Sequence, residues 1–225
     1  MQKIFVISLG GSLIFPQDLD KEFLNDFKKF IDSYVKKNYK FVIVCGGGKL
    51  ARNLQETASS ENKLSNQELD WIGIYATKIN AHIVKSMLDK IANDEVVSDP
   101  AEKIKFKKNV IVASGWKPGW STDYDAVLFA KNLGCKEVIN MSNVDYVYDK
   151  DPRKNKGAEK IEKISWSGYR KLSGGKWTAG LSSPFDPIAA REAQKCEFTV
   201  NIIGKDLTNL KNLLEGEKFR GTVIR

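Results

Sequence analysis

The chain holds a single histidine, His82, and three cysteines, Cys45, Cys135 and Cys196. One histidine excludes a metal site built on a histidine cluster, and set in a helical stretch it leaves no compelling Ser-His-Asp arrangement. The cysteines are scattered, odd in number and form no CxxC, which argues against a disulfide framework or a zinc site. They read as buried, reduced thiols. No apolar run approaches the roughly 20 residues needed to span a bilayer. The opening MQKIFVISLGGSL is apolar, but it is short, interrupted by glycines and without an A-x-A-like cleavage site, so it reads as a first strand rather than a signal peptide, and a cytoplasmic location is expected. Three phosphate-handling signatures are missing as well. There is no G-x-x-x-x-G-K-[ST], the Gly46–Gly48 run fails G-x-G-x-x-G, and neither H-R-D nor D-F-G occurs. A P-loop protein, a dinucleotide fold and a protein kinase are thereby excluded.

What remains has globular proportions. Hydrophobic residues make up 42% and charged residues 28% of 225 positions, enough for one substantial core, and a single domain over residues 1–225 is expected. The net charge of +8 could signal nucleic acid, but basic and acidic residues interleave along most of the chain. The densest basic group, KIKFKK at 103–108, is short and carries one aromatic. A basic surface serving small anionic ligands is the preferred reading, with neither nucleic acid nor membrane as partner.

The hydrophobic pattern alternates. Lys3–Leu9 predicts a buried strand, Asp20–Lys37 a helix with apolar residues three and four apart, and Phe41–Cys45 a second strand. A helix is predicted to open at Gly46–Gly48. Near-continuous apolar strands separated by helices predict a parallel sheet covered on both faces. Further on, Ser65–Ile91 predicts a long helix, Val96–Val97 a short strand, Val110–Ala113 a clearer strand and Thr122–Leu133 a helix. Glu137–Met141 reads as a strand and Ser142–Lys160 as a functional loop. A short helix is expected over Ser165–Leu172, a flexible polar segment and possible flap over Gly174–Ser183, and a helix over Asp186–Lys195 with Pro187 in its first turn. Phe198–Ile203, Leu207–Leu214 and Thr222–Ile224 complete a strand–helix–strand ending. There are no repeats and no obvious linker.

Ligands of open parallel sheets bind beyond the carboxyl ends of the strands. Four loops leave predicted strands at that edge: Gly10-Gly11-Ser12, Gly46-Gly47-Gly48-Lys49, SGWKPGWSTD and SNVDYVYDKDPR. Glycines let backbone approach a phosphate, and a helix starting just afterwards points free N–H groups at it. Lys49 and Arg52 add charge at one such helix start. A tight strand-to-helix turn explains any one loop equally well; four together suit phosphoryl transfer, which needs two anions held in line with their repulsion cancelled. Asp123 and Asp145 could organise the cations or a metal, although Asp123 also fits as a helix-capping or first-turn acid. Asp125 reads as a first-turn acid.

These segments carry a family likeness. FVISLGGSLI, VIVCGGGKLAR, LDWIGIYATKINA, ASGWKPGWSTDYDAV, INMSNVDYVYDKDPR and FDPIAAREAQ…GTVI occur in the order of the motifs of the amino acid kinase superfamily, over nearly the whole chain. They most resemble its UMP kinase branch in the archaeal-type form. The resemblance implies a three-layer αβα sandwich with a mostly parallel sheet, the reaction ATP + UMP → ADP + UDP in pyrimidine synthesis, and a homohexamer. Its UMP site would fall mainly in the N-terminal part and its ATP site mainly in the C-terminal part. It implies Mg²⁺ carried by ATP, with no protein ligand assigned.

By the same resemblance, Gly10, Gly11 and Ser12 would line the exchanged phosphates. Gly47 would face UMP, while Gly48 and Arg52 would face the triphosphate. Asp70 would bind the UMP ribose, and Trp116, Lys117, Pro118, Gly119, Trp120, Ser121 and Thr122 would wrap UMP. Ser142, Asn143, Tyr148 and Asp151 would hold the ATP nucleoside and phosphates. Many relatives place a lysine two residues before the first loop glycine. Here Ser8 stands there, so Lys49 is the expected substitute, and Lys49, Arg52 and Asp123 form the expected catalytic set. Trp116 and Trp120 could stack on a base or pack a subunit interface. A kinase of another small phosphorylated or acidic metabolite is an alternative. Within it, an isopentenyl phosphate kinase is disfavoured because His82 lies in a long helix away from the glycine loops. A non-catalytic nucleotide-binding or storage protein is the other alternative, kept open by Ser8.

Overall fold

The computed structural model describes residues 3–61, 63–152, 155–173 and 184–225. The chain opens with β1 (Ile4–Leu9), a four-residue helix α1 (Gly11–Ile14), α2 (Lys21–Lys36), β2 (Lys40–Cys45), α3 (Gly48–Ala58) and α4 (Asn66–Met87). There follow β3 (Val110–Ala113), α5 (Thr122–Asn132), β4 (Glu137–Met141), and the two-residue strands β5 (Val147–Tyr148), β6 (Lys160–Ile161) and β7 (Lys163–Ile164). The chain ends with α6 (Trp166–Ser173), α7 (Pro187–Lys195), β8 (Thr199–Ile203), α8 (Leu207–Glu215) and β9 (Thr222–Ile224).

Seven strands form one sheet in the order β3-β2-β1-β4-β8-β9-β7. The first five of that order run parallel, and β9 pairs antiparallel with β8. Strand side chains alternate faces. Ile7, Leu9, Ile43, Val112 and Ile139 join the core under α2, α4 and α8, while Val6, Val42, Val44, Ile111 and Val138 join the core under α5 and α7. Burial on both faces is why these strands read as unbroken apolar runs, and the three-layer αβα sandwich follows. From β1 the chain builds outward through β2 to β3, then crosses to β4 on the other side of β1. The reversal makes β1/β4 a topological switch point, where a crevice opens at the carboxyl edge.

Helix starts follow local chemistry. Asp20, Ser65, Ser121, Asp186 and Asp206 each accept backbone N–H groups at a helix N-terminus, and Ser65 forms a capping box with Glu68. Several expectations need correction. The long helix ends at Met87, not Ile91, because the Ile91 carbonyl accepts the Val110 N–H and the Asn93 N–H bonds the Val110 carbonyl, which draws the chain beside β3. Val96–Val97 is no strand; Val97 makes a single bridge to Ala113. The Ser142–Lys160 loop contains β5, which pairs antiparallel with β6. The short helix α1 and strand β7 had no sequence signal long enough to read. Gly174–Ser183 and Arg153 lie outside the described residues. Among the described residues no helix is long and apolar enough to cross a membrane.

The two glycine loops press together. A Cβ on Gly11 would stand 2.3 Å from the Gly48 nitrogen, and one on Gly48 would stand 2.2 Å from the Gly11 carbonyl carbon. Gly48 also has φ +59°, in the left-handed region. Gly134 has φ +69° but open space around it. Both Gly→Ala variants carry the backbone penalty, about 1–3 kcal/mol. Gly48→Ala is therefore expected to lose clearly more stability in urea unfolding than Gly134→Ala; equal losses would contradict the close approach.

Candidate active site

All four glycine- or polar-rich loops end up at the carboxyl edge, after β1, β2, β3 and β4. Backbone ties the first loop to the end of β4 and the second to the end of β1: Gly10 N–H donates to the Met141 carbonyl (2.8 Å), and Gly46 N–H to the Leu9 carbonyl (2.9 Å). Those N–H groups are committed within the protein, so of the first loop Gly11 and Ser12, at the start of α1, present the backbone. Asn80 of α4 is buried and donates to the carbonyls of Gly46 (2.8 Å) and Gly47 (3.3 Å), which fixes the second loop from beneath. The helix that follows, α3, has no side-chain cap and no acid in its first turn. Its first N–H groups lack intrahelical partners, and Lys49 and Arg52 stand there exposed, in no ion pair among the described residues. Two cations at the positive end of a helix are unfavourable on their own and favourable around an anion.

At the carboxyl ends of β1 and β4 the hydrogen bonds meet at Asp123. Residue parity puts Ser8 and Asn140 on the α5/α7 face, and the β1–β4 register sets them side by side. Both reach Asp123 Oδ1: Ser8 Oγ donates at 2.9 Å and Asn140 Nδ2 at 2.7 Å. Asp123 Oδ2 accepts the Asp186 backbone N–H (3.1 Å). Asp186 caps α7 and also accepts a hydrogen bond from Ser121 Oγ (2.7 Å), while Ser121 itself caps α5 through the Tyr124 N–H. Two helix starts are thus stitched to each other and to two strands. Protein surrounds the Asp123 carboxylate on most sides, yet the residue keeps an edge open to solvent. Burial, then the nearby Asp186 charge, push its pKa up to about 6 against the three donors that pull it down. Asp123 therefore does more than cap or start a helix.

The loop after β3 is pinned from both sides. Gly115 N–H donates to Thr77 Oγ1 (2.8 Å), and Gly119 N–H to Asp70 Oδ2 (2.7 Å). Trp116 and Trp120 meet edge to face at 4.8 Å between centroids, and the Lys117 ammonium lies over both rings. Pro118, Ser121 and Thr122 complete the segment. The loop after β4 closes against β8 and β9: Ser142 N–H donates to the Ile203 carbonyl and Val147 N–H to Thr222 Oγ1. Asp145 is exposed and lies so close to Gly204 that a Cβ there would overlap its carboxylate. It sits at the edge of this loop and not beside Asp123's partners. Asn143, Tyr148 and Asp151 follow on the same loop, and Tyr146 and Tyr148 make an edge-to-face pair.

The structure brings Gly11, Ser12, Gly47, Gly48 and Lys49 to one loop pair, and Asp70 to the Trp116–Thr122 loop. His82 is exposed on α4, as expected of a surface residue. Sequence reasoning missed Asn80, Thr77, Asn140 and the capping role of Asp186 toward Ser121. A usable signal existed: Asn140 interrupts the apolar strand EVINM, and Thr77 and Asn80 sit three apart on the buried face of α4. No group of three or more His, Cys, Asp or Glu side chains placed to hold a metal ion occurs among the described residues.

Comparison with known proteins agrees with this architecture. The amino acid kinase family model matches residues 3–204. A uridylate kinase of Thermoplasma volcanium is 36% identical over 96% of this chain and 95% of its own length. One from Pyrococcus abyssi is 36% identical over 97% and 98%. The crystal structure of uridylate kinase from Archaeoglobus fulgidus superimposes with a TM-score of 0.82 at 32% identity, covering 99% of this chain and 100% of that one.

Asp125, one helical turn beyond Ser121, is fully buried and its carboxylate oxygens make no hydrogen bond. Burial holds its pKa well above the ordinary 3.8, and the Trp116 N–H opposes this without reaching bonding geometry. A folded-state pKa above the unfolded one means the stability is full below about pH 4 and is lost as pH rises toward the folded value. Asp125→Asn is expected to match wild type near pH 4 and to be more stable at pH 7–8 by roughly 1–3 kcal/mol, the scale of an unsatisfied buried polar group. A loss at every pH in urea melts would contradict this.

Proposed function

The chain belongs to the amino acid kinase family, and from that premise we propose that it is a uridylate kinase, moving the γ-phosphoryl group of ATP onto UMP to give UDP and ADP. One observation carries the reading: the near full-length likeness to uridylate kinases falls on a chain whose four loops converge on a single switch-point crevice. An oxygen of the UMP phosphate attacks the γ-phosphorus, the bond to the β-phosphate bridging oxygen breaks, and ADP leaves with that electron pair. The nucleophile is already anionic, so no general base is required, which suits a crevice without histidine. The barrier lies in bringing two anions together.

In this reading Gly11, Ser12, Gly48 and Arg52 meet the phosphates, with Gly10 setting the loop. Lys49 supplies the charge that Ser8 cannot; Ser8 instead holds Asp123. Ser142, Asn143, Tyr148 and Asp151 face the ATP side. Gly47, Asp70 and Trp116–Thr122 face UMP, with Asp70 also pinning Gly119. Mg²⁺ would supply further neutralisation of the triphosphate. The donor set fits an ion bound through phosphate oxygens, because the Asp123 and Asp186 carboxylates are already taken by hydrogen bonds and Asp145 stands apart.

Self-association belongs to the same proposal. Trp71, Tyr75 and Ile79 follow one another a turn apart on α4 and are 40%, 60% and 48% exposed, an apolar stripe that a second copy would cover. Ile79→Asp is expected to lower the mass measured by light scattering; an unchanged mass would remove this face from the assembly.

ADP release from Mg·ATP, measured with UMP, CMP, GMP, AMP and isopentenyl phosphate, is expected to favour UMP strongly. Absence of turnover with all five, together with ATP binding, contradicts the proposal. Lys49→Ala is expected to reduce kcat about 100-fold, the scale of removing one preorganised group from the transition state; near-normal turnover would show that Lys49 does not replace the missing lysine.

A further inference from the structure

Lys117 is held in an unusual way for a loop lysine. Its Nζ lies 4.0 Å from the centroid of Trp116 and 4.2 Å from that of Trp120. Trp120 is itself braced edge to face by Tyr124 at 4.5 Å. Lysine normally has a flexible four-carbon stem and a mobile head; two indole faces attract the ammonium and restrict it. The loop beneath is equally fixed, through Gly119 to Asp70 and Gly115 to Thr77. Its far end is tied through Ser121 to Asp186.

The ammonium nevertheless has no acceptor. Among the described residues the Lys117 ammonium forms no ion pair and no hydrogen bond, and the buried Asp125 carboxylate does not bond to it. Half-buried and still in contact with solvent, it presents N–H donors and nothing else, since an ammonium has three donors and no lone pair. A donor-only group in a fixed place discriminates between ligands that differ by acceptor and donor at one position.

Uracil and cytosine differ in that manner. Uracil carries a carbonyl oxygen at C4, an acceptor, and cytosine carries an amino group there, a donor. We propose that Lys117, clamped between Trp116 and Trp120, is the residue that makes this enzyme prefer uracil over cytosine in its acceptor nucleotide. The ammonium hydrogen-bonds the C4 carbonyl of uracil. With cytosine two donors face each other, and the clamp prevents the lysine from swinging aside, so both groups lose their water without gaining a partner. Trp116 and Trp120 act as positioning residues here, their faces occupied by the cation. The inference rests on the reading that residues 116–122 line the acceptor nucleotide.

The test compares kcat/KM for UMP and CMP in wild type, Lys117→Met and Lys117→Arg, with thermal melts and ATP binding on each variant. Methionine keeps an unbranched apolar side chain beside the indoles and removes charge and donors. The Met variant is expected to lose about tenfold or more in kcat/KM for UMP, chiefly through KM, with CMP changed far less, because a site built around one polar contact discriminates by that contact. The UMP:CMP ratio then falls by about the same factor, while the donor-only Arg variant keeps most of it. Lys117→Gln carries an acceptor as well as donors and is expected to raise CMP use; it gives an independent reading if the Met variant does not fold. An unchanged ratio in the Met and Gln variants overturns the inference, and so does an equal loss with both nucleotides, which would assign the charge to the phosphate. A wild type active on UMP with those results overturns this inference alone. A wild type active on neither nucleotide overturns the reading beneath it as well.

Discussion

The arrangement around Asp123 is the constraint on which the rest of the crevice depends. Four hydrogen bonds tie the ends of β1 and β4 to the starts of α5 and α7: Ser8 and Asn140 to Asp123, the Asp186 N–H to Asp123, and Ser121 to Asp186. Each helix start would otherwise leave N–H groups unpaired, and each strand end would leave a polar side chain in an apolar sheet. Joined together they satisfy one another, except that Asn140 Oδ1 is buried without a hydrogen-bond partner. The cost is two carboxylates held close, visible in the upward shift of Asp123. Ser8 makes this possible where a lysine would instead bring a charge: the strand carries no cation at that position and donates a hydrogen bond to the hub.

The positive charge then comes from elsewhere. The interlocked Gly11 and Gly48 backbones leave α3 starting at the crevice without a cap and with Lys49 and Arg52 exposed beside it. Every longer helix with an assigned N-cap in the described chain other than α3 starts on an Asp or Ser side chain. The loop after β3, the proposed acceptor side, shows the opposite habit: it is pinned by Asp70, Thr77 and Asp186, with the Lys117 ammonium held against the Trp116 and Trp120 rings. In the proposed site, which must hold two anions together, the labour is thus divided, with unpaired cations and N–H groups on one side and a preorganised loop on the other.

Much of the fold was legible because it rests on local chemistry. Apolar runs gave the parallel strands, spacings of three and four gave the helices, and Asp20, Ser65 and Pro187 marked where helices begin. The four loops could be placed at one edge because strand–helix alternation puts successive strand ends there. What was not legible depends on register. Ser8 and Asp123 are 115 residues apart, and only the β1–β4 pairing and the parity of both strands put Ser8 beside Asn140 and both over Asp123. Asp123 therefore read equally well as a first-turn acid. The Trp116–Lys117–Trp120 clamp was invisible for a similar reason, since a turn through Gly119 at φ +81° folds neighbours in sequence onto one another. Two-residue strands such as β5 and β6 carry too little pattern to detect.

The most direct measurement is the pH–rate profile of UMP phosphorylation for wild type and Asp186→Asn. Turnover should need Asp123 ionised, accepting from Ser8 and Asn140, so the rate should fall as pH drops through about 6. Asparagine at 186 keeps a capping oxygen and removes the neighbouring negative charge, which should lower the Asp123 pKa and move the acid limb to lower pH. A profile flat down to pH 5, or an acid limb unmoved by Asp186→Asn, would contradict the central place given to Asp123.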